Sequence, residues 1–499
     1  MELLTVAEMA SADQAAIAAG TSGFALMRNA GQAVALAAEA MAERGRILVV
    51  AGRGNNGGDG FIAAAELAAR GRDVSVILLC DRASLKGDAA FAAEEWNGAV
   101  LPCDPQAIGK PNLIIDALFG AGLNRPVKGD PHAMIAAMNA SGVPILSVDL
   151  PSGINGDTGE VMGIAVEASA TVTFFRRKPG HLLLPGRVHC GEVDVADIGI
   201  DADVLDRIAP KTFENVPDLW ADVFPFPQAD GHKYARGHAV VVSGDVVSTG
   251  AARLAARAAL RAGAGLVTVA SPRDALAVNA AALTAVMVRE TETPKQFGEL
   301  LADKRLKACV IGPGAGIGER TREIVHAALS AHRGVVLDAD ALTSFAGSPE
   351  TLFAAIKKQN DPQVILTPHD GEFGRLFSAL RSDNPHGSKL EHARLAAVQS
   401  GAVVLLKGAD TVVAAPDGRA AITANAPPWL ATAGSGDVLA GIIGGLLAQG
   451  VPAFEAACIG VWIHGEAGQE FGPGLIAEDL PEMLPAVLRN LYDEIGIAY

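Results

Sequence analysis

Short apolar runs that alternate with helical segments constrain the fold of this 499-residue chain most strongly. Runs of this kind, nearly free of polar residues, are typical of strands buried on both faces of a parallel sheet. In the first half we predict strands at 46–51, 74–79, 112–116, 144–149 and 171–175. In the second half we predict them at 238–243, 265–270, 308–311, 335–340, 364–369 and 403–408. The alternation predicts an α/β fold with two doubly wound sheets, the first of them Rossmann-like.

The length of the chain and one proline-rich segment predict the domain division. A chain of this length typically forms two or three domains. The alternating pattern is lost where prolines cluster, at Pro210, Pro217, Pro225 and Pro227. We therefore place a boundary near Val216, with domains at 1–216 and 217–499.

Charge and cysteine usage exclude several classes of protein. The formal net charge is −16 and both halves are acidic, so we expect no nucleic-acid partner. The five cysteines are scattered and form no CxxC pair, as in a reduced, cytoplasmic protein. The first residues lack a signal-peptide pattern, and no apolar stretch is long enough to span a membrane. We expect a cytoplasmic homo-oligomer that binds small molecules.

A glycine-rich turn near the C-terminal end precedes an apolar run, 438–447, that reads as a buried helix. Backbone N–H groups of such a turn and of the first helical turn can bind phosphate. Asp437 follows the turn directly, where it could act as the general base for a hydroxyl that attacks the phosphate. The alternative is an ordinary glycine turn with a charge in the first helical turn. The turn consists of Gly434, Ser435 and Gly436.

A second glycine-rich segment follows the first predicted strand. It contains a literal GxGxxG, beginning at Gly52, and Asp81 ends the next strand, so a dehydrogenase site is a real alternative. A simple dinucleotide turn does not need the side chains of Asn55, Asn56 and Asp59. Those side chains suit a ligand or ion that is coordinated as well as cradled.

Polar side chains also follow the later strands of the first half, at the edge where parallel strands end. Oxygen atoms of Asn56, Asp116 and Ser152 could hold a hard cation, and a single carboxylate favours a monovalent ion. Each residue alone could equally be a turn former or helix cap.

The nucleotide site of the second half cannot be a P-loop, because the chain has no GxxxxGK[ST] motif. Another strand end supplies a lysine and a hydroxyl instead. This segment consists of Lys407, Gly408, Ala409, Asp410 and Thr411.

The motifs of the first half resemble a known family. The segments 55–60, 116–120 and 149–153, and Lys178-Pro179-Gly180 after the last strand, are similar to the epimerase domain of bifunctional NAD(P)H-hydrate repair enzymes. The resemblance implies interconversion of the R and S hydrates of NADH and NADPH, with K⁺ held by Asn56, Asp116 and Ser152. It also implies Asp149 as the candidate acid/base at the nicotinamide end. The implied hydrate contacts are Asn55, Asn56, Gly57, Gly58, Asp59, Gly120, Ala121, Gly122, Leu123, Asn124, Arg125, Pro126 and Asp149.

Six motifs of the second half resemble the dehydratase domain of the same enzymes, a ribokinase-like domain. They begin at His232, Gly263, Gly312, Asp338, Thr367 and Lys407. The chain departs from the usual pattern at Ala252, where proline is common, and at 433–436, where Gly-Gly-Thr-Gly is common.

The resemblance implies dehydration of the S hydrate driven by ADP with Mg²⁺, with Asp437 as catalytic base. Phosphorylation would convert the hydroxyl on C6 into a good leaving group. The implied hydrate contacts are Ala251, Gly314, His369 and Asp437. The implied nucleotide contacts are residues 407–411 and 434–436.

Other polar residues have simpler interpretations. We expect His464 to be a packed helix residue and Asp338 and Asp340 to form turns, with a smaller chance of metal or phosphate contact. Lys233 is either a phosphate contact or a surface lysine. The two alternative functions are an oxidoreductase with a kinase-like second domain and a non-catalytic nucleotide sensor.

Overall fold

A computed structural model describes residues 1–227, 231–385 and 387–497. The chain forms two compact units, one over Glu2–Thr212 and one from Phe213 onward. The division at 216/217 stays a prediction, and residues 228–230, 386 and 498–499 of the predicted second domain lie outside the described residues.

The strands of the first unit are β1 (Glu2–Leu3), β2 (Ile47–Ala51), β3 (Val74–Leu78), β4 (Val100–Leu101), β5 (Leu113–Ala117), β6 (Ile145–Val148), β7 (Ala170–Phe174) and β8 (Glu192–Ala196). Its helices are α1 (Val6–Ala18), α2 (Gly23–Met41), α3 (Asn55–Ala69), α4 (Gly87–Glu95), α5 (Asp130–Ala140), α6 (Gly186–Cys190) and α7 (Val204–Ile208).

Strands β2 to β8 form a parallel sheet in the order β4-β3-β2-β5-β6-β7-β8. Alternate residues of β2 enter different cores, because side chains of a strand point to opposite faces. Val49 packs with α2 and α3 on one face, while Val50 packs with α5 on the other. The predicted doubly wound sheet is confirmed, and the strand order reverses between β2 and β5, where ligands bind in such folds.

The strands of the second unit are β9 (Thr212–Glu214), β10 (His238–Val242), β11 (Leu266–Ser271), β12 (Met287–Glu290), β13 (Leu306–Ile311), β14 (Gly334–Leu337), β15 (Val364–Leu366), β16 (Val403–Leu406), β17 (Val412–Ala414) and β18 (Ala420–Ile422). Its helices are α8 (Thr249–Arg261), α9 (Leu276–Ala282), α10 (Pro294–Leu301), α11 (Glu319–Ser330), α12 (Asp340–Ser344), α13 (Pro349–Lys357), α14 (Asp370–Leu376), α15 (Ser378–Asp383), α16 (Lys389–Ser400), α17 (Ser435–Ala448), α18 (Ala453–Phe471) and α19 (Leu480–Glu494).

These strands lie in the order β9-β18-β17-β16-β15-β14-β13-β10-β11-β12. Along this order, neighbouring strands from β16 to β12 pair in parallel. The pairs β16–β17 and β17–β18 are antiparallel. The strand order reverses between β13 and β10. The second predicted α/β sheet is therefore also confirmed.

Helix α17 carries the glycine turn and lies very close to α8. A Cβ atom on Gly441 would lie 2.2 Å from the carbonyl oxygen of Ala255, and one on Gly445 would lie 2.6 Å from that of Ala259. Only glycine allows this approach of two helix backbones. The approach fixes the N-terminus of α17, and hence Asp437, against the end of the sheet.

One helix begins earlier than the sequence indicates. The sequence pattern predicts a helix over 60–70, but α3 begins at Asn55. Two glycines and two asparagines hide the helical signal because both residue types have low helix propensity. Among the described residues, no helix is both long and apolar enough to cross a membrane.

Candidate functional site

The first unit contains a cavity of about 720 Å³ at the carboxyl ends of its central strands. It lies at the reversal of strand order, where the turn after β2 and the segment after β5 separate. Ten of the predicted hydrate contacts line it: Asn55, Asn56, Asp59, Gly120, Ala121, Gly122, Leu123, Asn124, Arg125 and Asp149.

Gly57 and Gly58 have a packing role in the structure. A Cβ atom on Gly57 would lie 2.0 Å from the carbonyl oxygen of Gly52. One on Gly58 would lie 2.6 Å from the sulfur of Met27. These two glycines therefore let α3 begin against the β2 turn and α2. Neither they nor Pro126 is among the residues that line the cavity, so their hydrate contacts stay predictions.

Asp149 directly follows β6 with a φ of 65°, a left-handed conformation that costs free energy for a residue other than glycine. This conformation turns its carboxylate toward the cavity. Oδ2 accepts a hydrogen bond from the N–H of Ala121 at 3.0 Å. Oδ1 accepts one from the Thr173 hydroxyl at 3.0 Å and lies 2.6 Å from Nζ of Lys178.

Lys178 is the buried partner of Asp149, with 2% of its side chain exposed. Its Nζ also donates to the hydroxyl of Thr173 at 2.8 Å. His181 fixes the backbone on both sides of the pair, since its Nδ1 accepts from the N–H of Lys178 and its Nε2 donates to the carbonyl of Asp149. Burial, together with the charge of Lys178, lowers the pKa of His181 to about 4, which keeps the ring neutral.

The carboxyl groups of the cavity differ in their pKa values. Burial alone would raise the pKa of Asp149, but the charge and hydrogen bond of Lys178 lower it to about 2. Burial, followed by the charges of Asp149 and Asp13, raises the pKa of Asp59 well above its ordinary value. Burial also raises the pKa of Asp13 to about 6. The surroundings in this cavity therefore favour the ionised form of Asp149 and the neutral form of Asp59.

The residues predicted to hold a monovalent cation lie at the end of β5. Asp116 is fully buried and accepts hydrogen bonds from Ser147 and from the hydroxyl and N–H of Ser152. Asn56 is buried too, and its Nδ2 has no hydrogen-bond partner among the described residues. A Cβ atom on Gly120 would lie 3.0 Å from Asn56 Oδ1 and 3.1 Å from Asp149 Oδ2, so Asn56 and Asp149 approach the same point.

The two features behind the dehydrogenase alternative, the glycine turn that begins at Gly52 and Asp81, do not form one site. Asp81 caps a 3₁₀ turn, where it accepts a hydrogen bond from the N–H of Ala83 at 3.0 Å. It is exposed and is not among the residues that line the cavity. The arrangement therefore lacks the acid that would bind a ribose beside the glycine turn.

The glycine turn of the second unit forms the N-terminus of α17. Gly434 is the N-cap with a φ of 85°, and no side chain accepts a hydrogen bond there. A Cβ atom on Gly434 would lie 2.9 Å from Leu254 and 3.0 Å from Ala477. The position requires glycine, and within the described residues the N–H groups of Gly436 and Asp437 remain available for an anion.

A lysine faces this helix terminus from the end of β16. A Cβ atom on Gly436 would lie 3.5 Å from Nζ of Lys407. The same Nζ lies 2.7 Å from Oδ1 of Asp338, a carboxylate that also accepts from the hydroxyl of Thr367. The expectation of a simple turn role for Asp338 misses this buried ion pair. The site thus combines helix N–H groups with a positioned cation, as a phosphate site does.

Asp437 lies one residue beyond that turn and is partly buried. Burial and the charge of Asp338 raise its pKa to about 6, while Lys407 opposes the rise. A carboxylate with this pKa is a better proton acceptor than an ordinary aspartate and is still mostly ionised at neutral pH. Its properties fit the predicted general base.

The predicted nucleotide segment after β16 forms a tight turn. The hydroxyl of Thr411 accepts from the N–H of Gly408 at 3.1 Å and donates to its carbonyl at 2.7 Å. Asp410 pairs with Lys389 at 2.6 Å, and a Cβ atom on Gly408 would lie 2.3 Å from that Lys389 Nζ. Lys389 is a cation of this site that the sequence motifs do not include.

Two of the four predicted hydrate contacts of the second unit, Ala251 and Gly314, lie next to each other. A Cβ atom on Gly314 would lie 3.4 Å from that of Ala251, so these two residues are neighbours. His369 caps α14, where its Nδ1 accepts from the N–H groups of Gly371 and Glu372, and its side chain is 56% exposed. The contacts of His369 and Asp437 with the hydrate stay predictions.

Ser435 and His464 form a support below the turn. Nε2 of His464 donates to the carbonyl of Ser435 at 3.0 Å and lies 3.1 Å from its hydroxyl. Burial lowers the pKa of His464 to about 4. The histidine is therefore a packed residue, as expected, and the Ser435 side chain is directed into the protein. Lys233 is exposed beside the ring of Tyr234.

Comparisons with known proteins identify relatives of both units. Residues 23–180 match the family model of the YjeF-related protein N-terminus, and residues 239–486 match that of NAD(P)H-hydrate dehydratase. The chain is 37% identical to a bifunctional NAD(P)H-hydrate repair enzyme of Moorella thermoacetica over 99% of its length and 98% of the relative's. It is 36% identical to one of Coxiella burnetii, covering 94% and 95% of the two chains.

Among solved structures, the chain is similar to an ADP/ATP-dependent NAD(P)H-hydrate dehydratase of Bacillus subtilis co-crystallised with ATP and Mg²⁺. The identity is 27% and the TM-score 0.48, with 56% of this chain and 98% of that chain covered.

Proposed function

The chain belongs to the bifunctional NAD(P)H-hydrate repair enzymes, and we propose that its two units divide the repair between them. The first unit interconverts the R and S hydrates of NADH and NADPH. The second removes water from the S hydrate and restores the cofactor. The observation that supports this division is that each unit has its own constellation of ionisable side chains at the carboxyl ends of its own sheet.

Dehydration begins with a poor leaving group, the hydroxyl on C6 of the reduced ring. Transfer of a phosphoryl group to that hydroxyl makes it a good one. The lone pair of the ring nitrogen then expels phosphate, and loss of a proton from C5 restores the double bond. We propose that Asp437 accepts the hydroxyl proton, because its carboxylate lies in the first turn of α17 beside the N–H groups that would bind the phosphoryl group.

Lys407 and the N-terminus of α17 would hold the nucleotide phosphates. Lys407 lies between Asp338 and Gly436, so its charge is directed toward the turn rather than toward solvent. Lys389 and the 408–411 turn would bind the rest of the nucleotide. We propose ADP as the donor, and Mg²⁺ would share the phosphate charge. Asp338 and Asp340, whose charges both reach Asp437, are the oxygen donors that would hold it.

The cavity of the first unit would bind the hydrate. About 720 Å³ is sufficient for the nicotinamide and ribose part of the substrate. Asn55, Asp59 and the 120–125 segment line it, and Asp149 would approach the reacting ring. Asp149 as the acid/base stays a prediction, and its ion pair with Lys178 weighs against that role because a carboxylate with a pKa of about 2 is a weak base.

A potassium ion would fit the donor chemistry at the end of β5. Asn56, Asp116 and Ser152 offer buried oxygen atoms with one carboxylate among them. Binding would require the Ser152 hydroxyl to share Asp116 with the ion. Such an ion would fix the segment after β5 beside Asp149. We also propose that the protein is a cytoplasmic homo-oligomer.

Incubation of the protein with NADHX, ADP and Mg²⁺ tests this function. Return of the near-ultraviolet absorbance of NADH from both R and S hydrate supports two activities. Return from S hydrate alone would remove the epimerase assignment. Hydride transfer to an aldehyde would support the oxidoreductase instead, and binding without turnover would support the sensor.

A further inference from the structure

The cavity of the first unit contains more acid groups than its single buried lysine can neutralise. Asp13, Asp59 and Asp149 all line it, together with Lys178. Epimerisation needs a group that can give and take a proton, and three carboxyl groups compete for this role. Such a role for any of them presupposes the epimerase function proposed for the first unit.

The ion pair with Lys178 prevents Asp149 from acting as the group that gives and takes the proton. Its ammonium group lies 2.6 Å from Oδ1 of Asp149, and both Oδ1 and the ammonium group are bonded to the Thr173 hydroxyl. The other oxygen, Oδ2, accepts from the N–H of Ala121. Protonation of Asp149 would break this set of bonds in a buried position, so the carboxylate is fixed in its ionised form.

Asp59 has the opposite surroundings. It lies on α3 with 9% of its surface exposed, and it lines the same cavity. Within the described residues, no cation or hydrogen-bond donor pairs directly with its carboxyl group. The charged groups that influence its pKa are Asp149, Asp13 and Lys178.

Three further ionisable groups line the cavity, namely Arg53, Asp88 and Arg125. Arg53 and Arg125 are exposed, so water screens their charges, whereas Asp88 is half-buried. Two carboxylates close to one lysine leave an excess of negative charge around Asp59. The neutral acid is therefore the form of Asp59 that this cavity stabilises.

We propose that the carboxyl group of Asp59 is the proton donor and acceptor of the epimerase reaction, while the ion-paired Asp149 remains a carboxylate and stabilises the cationic ring. The C6–O bond breaks as the lone pair of the ring nitrogen forms a double bond to C6. The proton of Asp59 joins the departing oxygen, and water leaves. The ring now carries one positive charge and is planar at C6.

Water then adds to the other face of C6. A new C6–O bond forms, the electron pair of the double bond returns to nitrogen, and the surplus proton returns through cavity water to Asp59. Atoms and charge balance over the cycle, and Asp59 ends protonated as it began. The carboxylate of Asp149 stabilises the positively charged intermediate. A fixed anion near a developing cation lowers the barrier in a cavity of low polarity.

The test is the variant Asp59→Asn, which keeps the size of the side chain but cannot transfer the proton. A general acid contributes about 10²–10⁴-fold to a rate. We expect epimerisation, followed as the approach of pure R hydrate to the R/S mixture, to fall at least about 100-fold toward the uncatalysed rate. Dehydration of S hydrate by the same preparation should be unchanged, since it occurs in the other unit.

The matched control is Glu66→Gln, the same chemical change on the same helix but outside the cavity. It should retain full epimerisation. Infrared difference spectra should show the band of a protonated carboxyl group in the wild type and in the control, and lose it in Asp59→Asn. Wild-type epimerisation by Asp59→Asn, or an unchanged band, overturns the proposal.

A misfolded variant would still leave a decisive measurement on the wild type. If Asp59 acts as the protonated acid, kcat/KM for epimerisation must fall as pH rises through the pKa of Asp59. A profile with no alkaline decline overturns the proposal. Failure of the wild type to epimerise at all would instead contradict the proposed function, so the two failures are distinguishable.

Discussion

Replacement of Lys178 by methionine would leave the carboxylate of Asp149 buried without its cation. The pair is well shielded, with 2% and 17% of the two side chains exposed. Removal of one partner of a buried pair costs about 3–5 kcal/mol. The pKa gives an independent lower figure, since the difference between about 2 in the folded state and 3.8 for an ordinary aspartate corresponds to about 2 kcal/mol. We therefore expect Lys178→Met to destabilise the first unit by about 2–5 kcal/mol at neutral pH.

The destabilisation by Lys178→Met depends on pH in a defined direction. The pKa of Asp149 is lowered in the folded state, so its contribution is fully present above about pH 4 and is lost as pH falls through about 2. In Lys178→Met, burial raises that pKa, and the cost of ionisation appears as pH rises. The difference in unfolding free energy between the two proteins should consequently narrow below about pH 4.

Urea denaturation followed by hydrogen exchange on peptides from residues 144–182 measures this difference in the full chain. The double variant Asp149→Asn/Lys178→Met serves as control, because it removes the unpaired charge and should recover most of the loss. A loss below about 1 kcal/mol, typical of exposed pairs, would refute the account of a buried pair. So would a double variant as unstable as the single one.

Two further predictions concern the second unit. For dehydration, kcat/KM should rise with pH through about 6, because Asp437 must be ionised to accept a proton and its pKa is raised to that value; a profile flat between pH 5 and 8 would contradict its role as base. Gly434→Ala should raise the KM for ADP and destabilise the turn by at least about 1–2 kcal/mol, because φ is 85° and the new Cβ would lie 2.9 Å from Leu254. Gly472→Ala is the matched control, with a φ of 86° but no atom within 4 Å, and equal KM values in the two variants would refute the clash.

Much of the fold could be predicted from the sequence, because buried parallel strands such as β2 and β13 are uninterrupted apolar runs. Glycines and acids after these runs also indicated both candidate sites, since the carboxyl ends of parallel strands lie on one edge. The start of α3 could not be predicted in this way. Its first residues are asparagine and glycine, and packing against α2, rather than helix propensity, makes them helical.

The residues that determine the charge of each site were harder to recognise. The sequence identifies Lys178 only as part of the Lys-Pro-Gly motif, and the turn after β7 directs its side chain into the cavity. The sequence predicts a turn former at Asp338. In the structure it pairs with Lys407, which lies 69 residues further along the chain at the end of another strand. Asp13 lies in an alanine-rich helix without any motif. Local patterns contain no information about such pairings, which only the topology creates.

The kinetics of Asp437→Asn test the central claim, two independent sites on one chain, most directly. The variant should convert pure R hydrate to the R/S mixture at the wild-type rate, yet form no NADH from S hydrate with ADP and Mg²⁺. Loss of both activities in a protein that remains folded, or continued formation of NADH, would contradict the assignment of the two reactions to separate units.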